Sequence, residues 1–551
     1  MTRRSMLVLV LALGLGACAS AAQNAPVEVK ILAINDLHGN LEPPGTLRIT
    51  DPSDSTKTTT VNAGGVEYLA TLVRTLRAKN PNNITVAAGD LIGASPLLSS
   101  LFKDEPTIEA LNMMGLDLSS VGNHEFDEGK DELLRMQNGG CHPVNGCRNS
   151  ERFEGAKFKY LAANVVDTMT GKTLFPPYQI RSFNGIPVAF IGMTLKGTPA
   201  VVIQAGVVGL DFRDEADTVN RLIPELKAQG VEAIVVLIHE GGVQTGDYNE
   251  CKGMSGEVVD IVRQFDKAVD VVVSGHSHAS YNCTIDGRLV TSASSFGRVL
   301  TEIDLKLDPR TRDVIAMNAV NTIVRNDIPQ DLDQSALIER VSAIVGPLEN
   351  RVVGSATAIL SNAGNSARES SLGDIIADAM LEATRDAPVG KAQIAFMNPG
   401  GIRASITPAG GQVTYGQIFA TQPFGNSVLT MSVLGSDIHD LLEQQWAGGN
   451  EATPRVLQVS SGFSYTWDAA KPPGQRVDPT GIRLNGAVVV PGDRYRIAVN
   501  DFIAPGGDNF TVLRRGTDPV GFGTDVDLLE RYFKEHVPVA PGPLNRIRRV
   551  N

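Results

Sequence analysis

Five of the eight histidines in this 551-residue chain fall in short polar clusters, each following an apolar run. The clusters are Asp36-Leu37-His38, Asn123-His124-Glu125-Phe126-Asp127, His239 and His276-Ser277-His278, and Gly89-Asp90 adds a carboxylate in the same kind of place. Imidazoles and carboxylates delivered from several strand ends form the donor set of a hydrolytic metal centre. Two divalent ions held about 3.5–4 Å apart lower the pKa of water and clamp the oxygens of a phosphoryl group. Asp90 could bridge two such ions. Asp36 and His38, two residues apart, could face one ion together, and His276 and His278 repeat that spacing. A lone histidine is more often packed or solvated, and His142, His439 and His536 are read that way.

The elements that must position these groups are legible around them. Residues 29–34, 84–88, 118–121, 231–238 and 269–274 are short, β-branched and almost wholly apolar, as strands buried on both faces should be. Helical spacing over 66–78 and 218–229 alternates with them, the pattern of a layered α/β domain over 27–326. The Ser/Thr/Asp-rich stretch 49–62 reads as an exposed loop insertion. A charged amphipathic helix over 335–348 falls in a connector spanning 327–351, and a second α/β region over 352–551 follows, with a helix at 372–384. A chain this long exceeds a single core, which stops growing at roughly 250–300 residues.

Composition narrows the partners. A net charge of −12 argues against a nucleic-acid polymer, which needs a basic surface, but leaves a small anionic substrate open because metal ions override the global sign. Residues 1–25 read as an export signal: Arg3 and Arg4 precede an apolar run too short to span a membrane. Cys18 at the end of that run fits a lipoprotein site that would attach the protein to a membrane, with ordinary cleavage near Ala19-Ser20-Ala21 as the alternative. Either places the protein in the periplasm or on the cell surface, an oxidising setting in which an even cysteine count favours disulfides. The economical pairing is Cys141–Cys147 with Cys251–Cys283; their spacings do not resemble a structural zinc site.

Asn35-Asp36-Leu37-His38-Gly39-Asn40, Gly89-Asp90, Gly122-Asn123-His124-Glu125-Phe126-Asp127, His239 and Gly275-His276-Ser277-His278 together resemble the calcineurin-like metallophosphoesterases, and more narrowly the 5′-nucleotidase family. The resemblance implies a four-layer α/β/β/α catalytic domain, joined by a linker helix to a second α/β domain that confers substrate specificity. It also implies two divalent metal ions, Zn, Mn or similar. One would be held by Asp36, His38, Asp90 and His278, the other by Asp90, Asn123, His239 and His276. His278 stands where several members have glutamine. His124 would be no ligand: by similarity it stabilises the transition state or protonates the leaving oxygen, with Asp127 holding its ring.

The second region would name the substrate. Phe424 and Phe502 stand in polar, glycine-rich loops of an aromatic-poor chain, where a base-stacking role competes with simple loop anchoring. In the family these positions sandwich the base, the position of Asp508 contacts ribose, and the loop matched by Asn398, Gly400 and Arg403 contacts substrate. A further substrate arginine of the family would fall at Ser366; the nearest cation, Arg368, is shifted in register and is taken as the candidate for that substrate contact.

These readings converge on an exported dinuclear-metal phosphohydrolase releasing phosphate from 5′-nucleotides; the resemblance implies that its second domain would rotate against the first, with 335–348 as the candidate hinge region. The rivals are a nucleotide-sugar hydrolase or 2′,3′-cyclic-nucleotide phosphodiesterase on the same scaffold, the family's thiosulfate-oxidation branch, and a non-catalytic nucleotide-binding surface lipoprotein. A protein that only binds would need neither His124 nor both metal half-sites. Sequence does not give the oligomeric state.

Overall fold

The computed structural model describes residues 25–51, 53–147, 152–386 and 389–551. The expectations for an export signal and for lipidation at Cys18 lie outside the described residues.

Two six-stranded sheets pack face to face in the first half. One is ordered Val314–Ile323, Val299–Leu307, Val27–Ile34, Asn83–Ala88, Leu118–Ser120, Lys159–Leu161; the other Ser280–Ile285, Arg288–Ala293, Val271–Ser274, Ala233–Ile238, Ile186–Met193, Tyr178–Phe183. The period-two alternation of a strand divides its side chains between layers. Ile31 and Ala33 point inward with Val86, Leu118, Phe190, Val235 and Val273, while Leu32 and Ile34 point outward under the helices Val66–Arg77 and Glu105–Met114. Ile234 and Val236 do the same on the far side, under Glu215–Ala228 and Glu257–Gln264. The result is a helix/sheet/sheet/helix stack in which Ala233–Ile238 is buried at every position.

Stretch 49–62 departs from the sequence reading. It belongs to a hairpin, Thr46–Asp51 paired antiparallel with Asp54–Asn62. Leu47 and Ile49 alternate onto Ala293 and Val299, and the threonines that suggested a solvated loop are β-branched strand formers.

The connector is the helix Leu332–Glu349, capped by Asp331, whose carboxylate accepts the N–H groups of Asp333 and Gln334. Leu337, Ile338, Val341 and Val345 are buried in the helix layer of the first half, so the helix body is part of that half's packing. Beyond it a five-stranded sheet runs Gln458–Val459, Ile394–Met397, Arg494–Asn500, Ser427–Leu434, Thr517–Thr524. Helices Ser371–Arg385 and Asp525–Glu535 cover one face; Trp446, Trp467 and helix Gly435–Glu443 cover the other. Among the described residues no helix is long and apolar enough to cross a membrane.

Candidate active site

The parallel strands Val27–Ile34, Asn83–Ala88, Leu118–Ser120, Ala233–Ile238 and Val271–Ser274 deliver the polar clusters from their carboxyl ends, where open α/β sheets place ligand sites. The chain turns sharply there. Asp36, His38, Asp90, His276 and His278 all take positive φ, between 47° and 67°, a conformation that costs non-glycine residues energy and clusters at functional sites. Gly89 (φ 78°) allows a close backbone approach, since a Cβ there would come within 2.6 Å of the Gly122 nitrogen. That contact seats Asp90 beside the second cluster, where its Oδ1 accepts the His124 N–H at 2.9 Å.

The ligand candidates converge. His38 Nε2 lies 3.0 Å from His278 Nε2 and 3.6 Å from Asp90 Oδ2, and Asp36 Oδ1 lies 3.5 Å from His278 Nε2. On the other side of Asp90, His239 Nε2 lies 3.0 Å from its Oδ2 and 3.1 Å from Asn123 Oδ1, and His276 Nδ1 lies 3.0 Å from the same amide oxygen. His38 Nδ1 donates to the Gly93 carbonyl (2.9 Å) and His239 Nδ1 to that of Ala88 (2.8 Å), which leaves each Nε2 facing the cluster. Among the described residues, three histidine–carboxylate groups could hold an ion: Asp36/His38/His278, Asp90/His239/His276 and His38/Asp90/His124.

Electrostatics fit divalent cations. Burial drives His38 well below the ordinary imidazole range and His276 and His278 to about 3, so these rings present lone pairs rather than charge. Burial opposes charge on His239 too, but adjacent Asp90 outweighs it and draws the ring up to about 10; a ligated cation would replace that proton. Burial lifts Asp36 to about 7 against the charge of His239. Two buried carboxylates beside imidazoles and an amide oxygen are a donor set for divalent metal ions.

His124 is set apart by its partner. Its Nδ1 donates to Asp127 Oδ2 at 2.9 Å, and although burial disfavours its charge, Asp127 and Asp90 together raise its pKa. The cavity above it, about 270 Å³, is lined by Asn123, His124, Asp127 and His276 from the first half and by Asn398, Gly400, Arg403, Phe424, Phe502 and Asp508 from the second. The ring of Phe502 is braced by Gly507, where any side chain would collide with it at 2.8 Å.

Arg368 is placed elsewhere. Its guanidinium donates to the Pro454 carbonyl, in a separate recess with Asn362, Ser370 and Gln458, because the turn at positive φ (67°) points it away from the cavity. A cation that does line the cavity beside Arg403 is Arg455, which sequence reading missed because no motif marks its loop. Glu125 was also missed. Its carboxylate accepts the N–H groups of Asp90, Leu91 and Gly122 and so fixes two cluster-bearing turns; its place inside the Asn-His-Glu run was the available signal. Phe296, edge-on to His38 and His278 at 5.8 and 5.3 Å, had none. His142 accepts locally from the Val144 and Asn145 N–H groups, and exposed His536 contacts Glu382. The disulfides join Cys141 to Cys147 and Cys251 to Cys283.

Comparison with known proteins covers both halves. The family profile for calcineurin-like phosphoesterase matches residues 29–280, and that for the 5′-nucleotidase C-terminal domain matches 352–515. The chain belongs to the 5′-nucleotidase family of metallophosphoesterases. Among members similar to it, "Cell wall protein Lmo0130" of Listeria monocytogenes is 30% identical over 97% of this chain and 71% of its own length. "Endonuclease YhcR" of Bacillus subtilis is 33% identical over 96% of this chain, which spans 41% of that longer protein. The crystal structure of a 5′-nucleotidase precursor from Thermus thermophilus superposes with a TM-score of 0.78, at 28% identity, over 95% of this chain and 99% of that one.

Proposed function

We propose that this 5′-nucleotidase-family protein is exported and hydrolyses 5′-nucleotides to nucleoside and phosphate, using two divalent ions. The carrying observation is one cavity that joins the histidine–carboxylate cluster and His124 to Phe424, Phe502 and Asp508. Asp36, His38, Asp90 and His278 would hold one ion, and Asp90, Asn123, His239 and His276 the other. The ions would supply Lewis-acid polarisation of the phosphoryl group and a lowered pKa for water.

The chain's own groups do the rest. Arg403 enters the cavity from the second half, near enough for the charges of Asp90, Asp127 and Asp36 to act on it, and meets the negative charge of the phosphate. Phe424 and Phe502 stack on the base, which gives affinity with little choice among bases. Asp508 accepts hydrogen bonds from the ribose. His124, oriented by Asp127, holds a proton for the departing nucleoside 5′ oxygen. Export is supported by the leader-like first 25 residues and by the two disulfides.

The test is a panel of 5′-AMP, UDP-glucose and 2′,3′-cyclic AMP offered to purified protein with added Mn²⁺ or Zn²⁺, together with Asp90→Asn. Hydrolysis of 5′-AMP should dominate and vanish in Asp90→Asn. Equal or faster turnover of the cyclic ester would reject the 5′-nucleotide assignment, and full activity in Asp90→Asn would reject the bridging role.

A further inference from the structure

Arg455 sits in the stretch between helix Gly435–Glu443 and strand Gln458–Val459, and this loop grips Asp508 twice. Asn450 Nδ2 donates to the Asp508 main-chain oxygen at 2.8 Å, and Arg455 Nη1 lies 3.1 Å from the carboxylate Oδ1. The loop is itself tied down. The Arg455 N–H donates to the Gln445 main-chain oxygen (3.0 Å), and buried Gln445 accepts, through Oε1, the Leu457 N–H (2.7 Å) and the Tyr465 hydroxyl (3.1 Å).

The opposite edge of the carboxylate is held as firmly. Asn398 Nδ2 donates to Asp508 Oδ2 at 3.0 Å, and Asn398 Oδ1 accepts from Asn500 Nδ2 at 2.9 Å. Asp508 is buried and sits at φ 52°, so it is fixed in direction and removed from water. A buried carboxylate takes up a proton or swings away unless a cation accompanies it. Burial does push the pKa of Asp508 up, and Arg455 is the charge that opposes it. Among the described residues the guanidinium has no other side-chain polar contact, and Gly400, which carries no side chain, leaves its cavity-facing edge open. Arg368 lies outside this cavity.

We propose that Arg455 is a specificity-positioning residue: its ion pair holds the Asp508 carboxylate aimed into the cavity, so that the carboxylate can accept hydrogen bonds from the paired hydroxyls of a nucleoside ribose. This rests on the nucleotide reading above. It predicts that Arg455 acts through the 2′- and 3′-hydroxyls and not through the base.

Titration calorimetry of the metal-loaded protein with adenosine and with 2′,3′-dideoxyadenosine tests it. Arg455→Met should weaken adenosine about tenfold and the dideoxy analogue less than twofold, collapsing the preference of the wild type for the ribonucleoside. Arg455→Lys should fall between, because it keeps the charge without the planar fork. Arg368→Met should bind both ligands within about twofold of wild type. Adenosine affinity unchanged in Arg455→Met, or an equal loss for both ligands, overturns the positioning role. A wild-type protein that binds neither ligand overturns the nucleotide reading itself.

Discussion

Phe424 lies against the ring of His124, with centroids 5.7 Å apart and planes 14° from parallel. The proposed base slot and the proposed proton donor would therefore share a wall across the two halves of the protein. Arg403 extends that wall, its guanidinium carbon 5.9 Å from the Phe424 ring. Phe424→Ala should raise KM for 5′-AMP about tenfold, in line with the roughly 1–3 kcal/mol that base stacking contributes. It should change KM for ribose 5-phosphate, which has no base, far less. Steady-state kinetics on the two substrates decide this; an unchanged KM for 5′-AMP removes Phe424 from the base slot.

In the proposed reaction Asp127 would act through His124, to whose ring it is hydrogen-bonded. Asp127→Asn keeps the shape but loses the negative charge that favours the imidazolium. General acid catalysis contributes typically about 10²–10⁴-fold, and kcat for 5′-AMP should drop within that range with little change in KM. A p-nitrophenyl ester, whose leaving group departs without a proton, should lose much less. Parallel losses on the two esters would assign His124 some role other than proton donor.

The strands and the separate pieces of the histidine–carboxylate cluster were legible because each piece is local in sequence. Val-Val-Leu-Ile at 235–238 can only be covered on both faces, and Asp-x-His places two donors at one strand end whatever surrounds it. The hairpin at 46–62 was not legible, since threonine serves a solvated loop and a β-strand alike and only packing on Ala293 and Val299 separates them. Arg455 was hidden for a stronger reason. Its function follows from meeting Asp508, more than fifty residues away in sequence, and nothing beside it carries a pattern. Arg368 shows the converse, a cation beside a recognisable motif that a positive-φ turn directs elsewhere.

The two disulfides should differ in consequence. Cys251–Cys283 closes a separation of 32 residues and ties the loop that follows His239 to the strand that follows His278. On the loop-entropy account it stabilises by about 3–4 kcal/mol, against about 2 for the exposed six-residue Cys141–Cys147 loop. The Cys251→Ser/Cys283→Ser pair should therefore lose more thermal stability than Cys141→Ser/Cys147→Ser, and should alone loosen metal retention against a chelator. Paired melting curves and metal analysis measure both effects. Equal metal retention in the two double variants would show that the Cys251 bridge does not support the ligand loops.

Glu530 links the second half to the end of the connector. Its carboxylate accepts two hydrogen bonds from Arg351, one at 3.0 Å, and a contact from Lys534. The Arg351 hydrogen bonds, working against burial and helped by Lys534, hold Glu530 down to about 2. A depressed folded-state pKa stabilises above the unfolded value, near 4.3, and that stabilisation fades as pH falls toward the folded value. Glu530→Gln should thus be about 1 kcal/mol less stable than wild type at pH 7, the scale of a partly exposed ion pair. The difference should hold steady down to about pH 5 and shrink between there and pH 2. Urea unfolding across that range reads it directly. A deficit as large at pH 2 as at pH 7 would mean that packing, not charge, makes this contact.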